Sequence, residues 1–360
     1  MRNSRVLRLA VVPIVALVLA ACGSGSGADA DADAGTGSSP GPSSESETEP
    51  PAAAGEESTS TDPAVEKIAF FGFWKSNSFT QAVLAGVQES ADAAGVEVVD
   101  LTTAEYDGPA QIKAMQDQTV KGDVQMYIVL ASDSVGMATA ATEAIDAGVT
   151  VVAGFTPLGS DFTSLEPQVD GLVVVAETPV SNGEVLGQLA LDACADLNPC
   201  NVAYLEGLKA LPLDNARTEA FVETVGGNPN AKIVSQVEGG YTPDSGKKAA
   251  QDALQANPDI NVMVGASQAI LGAQGVVDTA QVKLIGNGAS SEAFAAVNDG
   301  SWFALYNMDV KGIGTKSVEL GLQAAEGALD SPSFDIQDLR DPKGTKDVIA
   351  EFESTYSDLG

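Results

Sequence analysis

Histidine does not occur anywhere in the 360 residues. Its ordinary pKa lies nearest neutrality and it is the commonest transition-metal ligand, so its absence removes the usual general base and the usual metal anchor. Catalysis would have to rest on other groups, and none stands in a recognisable arrangement: there is no G-x-S-x-G turn, no Ser/His or Cys/His set and no ligand-like cysteine pair. Neither enzymatic activity nor a cofactor or metal is expected. Basic residues are scarce as well, 18 Lys and Arg against 50 Asp and Glu, for a formal charge of -32. A chain this acidic is repelled by phosphate backbones and anionic membrane surfaces, which argues against nucleic acid as a partner. Cysteines number only three, and no segment after the N-terminus has the apolar length of a membrane span. What is abundant is ordinary core material: a 44% hydrophobic composition over this length can fill two domains.

The N-terminus reads as a targeting segment, with Arg2, Arg5 and Arg8 ahead of the run "LAVVPIVALVLAA", which is too short for a stable span. It ends in Leu19-Ala20-Ala21-Cys22, which resembles the lipobox of bacterial lipoproteins, whose cleavage leaves an acylated cysteine at the new N-terminus. The resemblance implies a signal peptide over residues 1–21 and a lipid on Cys22 that anchors the chain outside a cell membrane. An ordinary signal peptide with an incidental cysteine is the alternative. With Cys22 so used, Cys194 and Cys200 remain in "CADLNPC", in a compartment where disulfides persist, and they are expected to pair around the Asn198-Pro199 turn. So short a closed loop contributes on the order of 2 kcal/mol in the chain-entropy model. The spacing is not C-x-x-C, which disfavours a redox site.

From Gly23 to about Thr61 no large apolar residue occurs, and Gly, Ser, Ala, Pro, Asp and Glu dominate. Such a segment cannot bury enough surface to offset the entropy of ordering it, so residues 22–61 are expected to be an acidic, extended tether. Its "DADADAG" resembles the start of a calcium loop but lacks the bidentate Glu that such a loop requires.

Beyond Thr61, apolar runs alternate with stretches of helical periodicity. Strands are predicted at "KIAFFG", "VEVVDL", "VQMYIVL", "VTVVAG", "GLVVVA", "NVAYLEG", "AKIVSQVE", "NVMVGA", "VKLIGN" and "WFALYN", with amphipathic segments such as "SFTQAVLAGVQESADAAG" and "DNARTEAFVETVGG" between them. Continuous apolar strands alternating with helices imply parallel sheets covered on both faces. This many strands suits two doubly wound, Rossmann-like α/β domains, whose ligands sit beyond the C-terminal strand ends. The loop "GFWKSNSF" follows the first strand at just such a place.

The run from Lys67 to about Gly327 resembles the sugar-type, ribose-binding-like solute-binding proteins of ABC importers, of the type 1 periplasmic binding fold. The landmarks are "IAFFGFWKSNSFTQAVLAGVQESADAAGVEVV", "QIKAMQDQTVKGDVQMYIVLASDS", "AIDAGVTVV", "ARTEAFVETV", "ALQANPDINVMVGASQAILGA" and "AFAAVNDGSWFALYNMD", in that order. The resemblance implies two α/β domains joined by three hinge crossings, expected near Glu177, near Asn307 and around Ser331 to Asp335. The first domain would be 66–177 with 308–333, the second 178–307 with 334–360. It further implies a monomer that closes by hinge bending on a small polar ligand, usually a monosaccharide, and delivers it to a membrane permease driven by a cytoplasmic ATPase. Two other uses stay open: a sensory lipoprotein presenting its ligand to a membrane receptor and, less favoured, a Rossmann-like enzyme.

By the same resemblance Asn77 matches a loop amide that contacts sugar hydroxyls, and Phe79 a ring that stacks on a sugar face. Where a second ring often follows stands Thr80, so Trp74 or Phe73 would supply that surface. Arg217 falls on a ligand-binding arginine and Tyr241 on a stacking aromatic. The departures are at Phe155 and Thr156 in place of an acidic residue and arginine, at Ala266, Ser267 and Gln268 near an expected Asn-Asp pair, and at Gly288 in place of aspartate. Charge-assisted hydrogen bonds contribute roughly 1.5 to 3 kcal/mol each, so losing such acceptors argues against ribose itself. A ligand with fewer hydroxyls, more apolar surface or its own negative charge would suit Phe155 and Arg217, with Asn287, Asn307 and Asp309 as further polar candidates.

Plainer roles compete at each position. Phe70 and Phe71 are expected in the core. Trp74, Phe79, Phe155 and Tyr241 could be packing residues, and Arg217 could cap its helix or pair with Glu219 or Glu223. "GNGASSEAF" resembles a dinucleotide loop but lacks the third glycine, and a turn feeding a helix capped by Ser290 or Ser291 explains it better.

Overall fold

Strands that are apolar at every position must be covered on both faces, and the computed structural model, which describes residues 65–359, shows how this is done. The chain runs β1 (Lys67–Phe71), α1 (Ser78–Ala94), β2 (Glu97–Asp100), α2 (Gly108–Lys121), β3 (Met126–Val129), α3 (Ser134–Asp146), β4 (Thr150–Phe155) and β5 (Val173–Ala176). It continues through α4 (Pro179–Ala193), β6 (Cys200–Glu206), α5 (Pro212–Gly226), β7 (Ala231–Glu238), α6 (Pro243–Ala256), β8 (Val262–Ala266), α7 (Ser267–Gln274), β9 (Lys283–Asn287), α8 (Ser291–Asp299) and β10 (Ala304–Tyr306). The last elements are α9 (Val310–Ala325), β11 (Ser333–Asp335), β12 (Lys343–Gly344) and α10 (Lys346–Ile349). The ten predicted strands are β1 to β10. The short β11 and β12 had too few apolar residues to be read.

Two sheets result, ordered β11-β5-β4-β3-β1-β2 and β12-β10-β9-β8-β6-β7. Every pairing is parallel except β10 with β12. In each sheet the order reverses beside the first strand, between β1 and β3 and between β6 and β8, which leaves a crevice at the C-terminal strand ends. Phe70 and Phe71 are fully buried on opposite faces of β1, in separate core clusters. The chain leaves the first sheet after β5 at Glu177 and, after β10, crosses back by Asn307 to α9, which packs on α1. Phe334 pairs with Val175, so β11 holds the chain on the first sheet through Asp335, and the last crossing follows it instead of lying around Ser331 to Asp335.

Close helix contacts set the lobes. A Cβ on Gly314 would lie 2.1 Å from the Val83 carbonyl, and one on Gly86 would lie 2.0 Å from that of Lys311, so α1 and α9 meet backbone to backbone. In the other lobe a Cβ on Gly183 would stand 2.3 Å from the Arg217 carbonyl, which seats α5, and with it Arg217, directly on α4. Cys194 at the end of α4 is bonded to Cys200 at the start of β6, with Cα atoms 5.6 Å apart. The expected signal peptide, the expected lipidation at Cys22, the expected tether and its "DADADAG" run all fall outside the described residues. Among the described residues no helix is long and apolar enough to cross a membrane.

Candidate ligand-binding cleft

A cavity of about 70 Å³, partly open to solvent, lies where the C-terminal strand ends of both sheets converge. The wall from the first sheet is built of rings. Phe73, Trp74 and Asn77 come from the loop after β1, Phe79 from the first turn of α1, Tyr106 from the loop after β2, and Phe155 from the end of β4. Their packing is mutual: Phe79 meets Phe155 edge-on at 4.8 Å between centroids, Phe73 stacks on Tyr106 at 6.2 Å, and Trp74 meets Tyr106 at 5.6 Å. Phe155 holds φ 69, a left-handed conformation that costs a bulky residue on the order of 1–3 kcal/mol and is found mainly where surrounding structure enforces it. Its ring packs edge-on against both Phe79 and Phe73.

Asn77 is the N-cap of α1, with Oδ1 accepting from the Thr80 amide at 2.9 Å and from the Thr80 hydroxyl at 3.1 Å. That explains Thr80 where a ring was expected. It also leaves the Asn77 amide NH₂ as the group it can offer to a ligand.

The wall from the second sheet combines Leu211 and Leu213 with polar groups that are already interlocked. Arg217 on α5, 5% exposed, donates from Nη1 to Asp214 Oδ1 at 2.8 Å and to the Tyr241 hydroxyl at 3.2 Å. Tyr241 in turn donates to Asp214 Oδ1 at 2.6 Å, and the Leu208 amide donates to Asp214 Oδ2 at 2.7 Å. Burial, with the Asp214 carboxylate beside it, holds the Tyr241 hydroxyl protonated far above its usual range. Arg217 therefore pairs with Asp214 one turn earlier, and not with Glu219 or Glu223; its Nε is buried without a hydrogen-bond partner.

Ser267 and Gln268 open α7 at the cavity edge, and Asn287 ends β9 there, exchanging hydrogen bonds with Asn182 at 3.0 and 3.3 Å. Asn307 does not line the cavity. It is 1% exposed and donates to the Asp341 carbonyl at 3.1 Å, serving the crossing between the lobes. Asp309 likewise caps α9 and pairs with Arg340 at 3.3 Å. Ser290 caps α8, as the helix-turn reading of "GNGASSEAF" requires.

Sequence reasoning missed Tyr106, Leu211, Leu213, Met308 and Tyr356, which line the cavity, and Asp214, which pairs with Arg217. Asp214 was within reach, because a carboxylate three residues before an arginine on a helix lies on the same face. Nothing in the local sequence marks Tyr106 or Tyr356.

Behind the cavity Glu177, 2% exposed, accepts from Asn182 Nδ2 at 2.8 Å and from the Tyr306 hydroxyl. Burial raises its pKa to about 7, against the lowering effects of the Tyr306 hydrogen bond and the Arg217 charge. Among the described residues no group of three or more His, Cys, Asp or Glu could hold a metal.

Several solved structures share this architecture. An ABC transporter periplasmic solute-binding protein from Actinobacillus succinogenes, solved with bound D-allose, aligns at TM-score 0.69 and 17% identity over 79% of this chain and 99% of its own. An ABC transporter solute-binding protein from Mycobacterium smegmatis, solved with bound glycerol, aligns at 0.68 and 23% over 81% and 98%. The periplasmic binding protein of the arabinose ABC transporter from Shewanella sp. ANA-3, bound to L-arabinofuranose, aligns at 0.66 and 19% over 79% and 93%. At these identities the likeness is one of fold. No curated protein matches the chain. The family described as periplasmic binding protein domain matches residues 68–329, nearly all of both sheets and the cavity they enclose, and the chain belongs to that family.

Proposed function

We propose that the protein is an extracytoplasmic solute receptor that captures a small neutral metabolite, a sugar or sugar derivative, between its lobes and delivers it to the membrane permease of an ABC importer. The observation that carries this is the make-up of the cavity: a wall of rings from one lobe faces hydrogen-bonding groups set among two leucines from the other, so a ligand gains both sets of contacts only when the lobes are together. Closure is then favoured by as much as the ligand binds the closed state better than the open one. Sugars and glycerol bound to the structural neighbours support the ligand class. Trp74, Asn77, Phe79, Phe155, Arg217, Tyr241, Ser267, Gln268 and Asn287 are the contacts assigned. A lipid on Cys22 would keep the receptor beside its permease.

The site narrows the choice of ligand. Among the described residues Arg217 is the only cation lining the cavity and is already paired with Asp214, so a sugar acid finds no unpaired positive charge among them. Asn287 and the Tyr241 hydroxyl are engaged within the protein. A hydroxyl buried without a partner costs roughly 1–3 kcal/mol, so a ring with one apolar face and few hydroxyls fits better than a fully hydroxylated hexose. A thermal-shift screen of pentoses, hexoses, deoxy sugars, polyols, sugar acids and amino acids tests this. Ligand at 100-fold its dissociation constant adds about 2.7 kcal/mol, several degrees in Tm. Stabilisation by neutral, deoxygenated rings ahead of the matching sugar acids is expected; a response confined to sugar acids or amino acids would overturn the assignment.

A further inference from the structure

The segment after α10, residues 350–359, forms neither helix nor strand, yet it is held at several successive residues. Ser354 Oγ donates to the Ala289 carbonyl at 2.8 Å, and the Tyr356 carbonyl accepts from the Ser291 amide at 2.8 Å. The Ser357 hydroxyl and the Asp358 amide donate to the two oxygens of Glu292 at 2.7 and 2.9 Å. All four anchors lie at the N-terminal turn of α8, on the second lobe.

Two side chains leave this anchorage for the cleft. Tyr356 lines the cavity, and its hydroxyl fills room beside Gly288: a Cβ at that glycine would stand 2.9 Å from it and 2.6 Å from Ser267 Oγ. Gly288 also holds φ 141, so the backbone there and the tyrosine beside it both require that no side chain be present. Asp358 reaches the opposite lobe. Ser78 Oγ, in the first turn of α1, donates to Asp358 Oδ1 at 3.3 Å, while Asp358 Oδ2 is buried without a partner. The Gln268 amide lies 3.4 Å from the same Ser78 hydroxyl. Beside the main cavity a second cavity opens at the mouth, bordered by Trp74, Ser78, Gln81, Thr242 and Asp358.

We propose that residues 354–359 form a strap across the mouth of the cleft, anchored on α8 and fastened to the first lobe through Asp358 and Ser78. The lobes cannot part without breaking that fastening, and solutes reach the ring wall past it. A single hydrogen bond to a carboxylate biases such an equilibrium by roughly tenfold, enough to favour closure yet weak enough to open. The fastening is independent of what the ligand is, so it can be tested with no ligand at all.

The chain has two tryptophans, and they report separately. Trp302 is 2% exposed in the second-lobe core and donates to Gln274, whereas Trp74 stands at the mouth, half-buried. Acrylamide, a small neutral solute, therefore quenches Trp74 in the full chain. Asp358→Ala should raise the quenching constant about twofold and Ser78→Ala at least as much, since it also removes the Gln268 contact, and the double variant should match Ser78→Ala alone. Circular dichroism and Tm should stay close to those of the unaltered protein. A chain ending at Glu353 should be quenched at least as strongly; should it fail to fold, the point variants still decide. Unchanged quenching in both single variants, or a rise in only one, would overturn the strap.

Discussion

The two lobes share one topology and differ in what they present to the cleft. The first presents packed rings, Phe73, Trp74, Phe79, Tyr106 and Phe155, held by neighbouring loops and in one case by a strained backbone. The second presents a network in which Arg217, Asp214 and Tyr241 satisfy one another before any ligand arrives. An apolar wall needs no partner and can be half-exposed in an open form. A buried cation needs its carboxylate at all times, because an uncompensated charge in the interior is costly. The first lobe's site residues are therefore separable from stability, and the second lobe's are part of its structure.

The largest expected effect breaks the second-lobe network. Arg217→Ala should cost roughly 3 kcal/mol of stability in urea or thermal unfolding without ligand, since it removes one partner of a buried pair. A loss under about 1 kcal/mol would show the pair to be solvated and the contrast between lobes wrong.

Next comes the junction between the lobes. The Glu177 carboxyl titrates near 7 in the folded protein, above its ordinary 4.5, so the folded state keeps the proton in that window while the unfolded state releases it. Its contribution to stability is then complete below pH 4.5, declines as pH rises towards 7 and is level above. Glu177→Gln should remove that decline, so the stability difference between wild type and variant changes by roughly 3 kcal/mol across the window, read from Tm against pH. Parallel curves would mean that Glu177 is ionised throughout.

A smaller effect is confined to the second lobe. Replacing Cys194 and Cys200 by serine should cost about 2 kcal/mol in the chain-entropy model, and reductant should lower the Tm of wild type but not of the variant.

The smallest stability change belongs to the ring wall. Phe79→Ala should cost only about 1 kcal/mol in unfolding, because the Phe79 ring is itself only partly buried. It should nevertheless weaken binding of the best compound in the thermal screen about tenfold by calorimetry, equivalent to about 1.4 kcal/mol. Unchanged affinity would make Phe79 a packing residue.

The strands were legible because each is a run of apolar, β-branched residues, and a parallel sheet buried on both faces demands that pattern. The loop after β1 could be placed at the cleft for the same reason: in a doubly wound sheet the C-terminal strand ends are where ligands sit. Asn307 was misplaced because an asparagine after a strand looks the same whether it meets a ligand or the Asp341 carbonyl. Asp214 was overlooked because acidic residues abound in this chain and several lie within a helical turn or two of Arg217. Tyr356 could not be read at all: its position depends on the 67 residues between Gly288 and it folding so that the tail returns to that glycine.

By itself the sequence determined the fold class, the ten main strands, the Cys194–Cys200 pairing and which loops end near the cleft, since these follow from local periodicity, compartment and strand polarity. Tertiary structure alone decided which polar groups are already spent on one another, which ring turns inward, and which distant segment closes the mouth. Those outcomes depend on distances between residues far apart in the chain, and periodicity along a sequence carries no information about them.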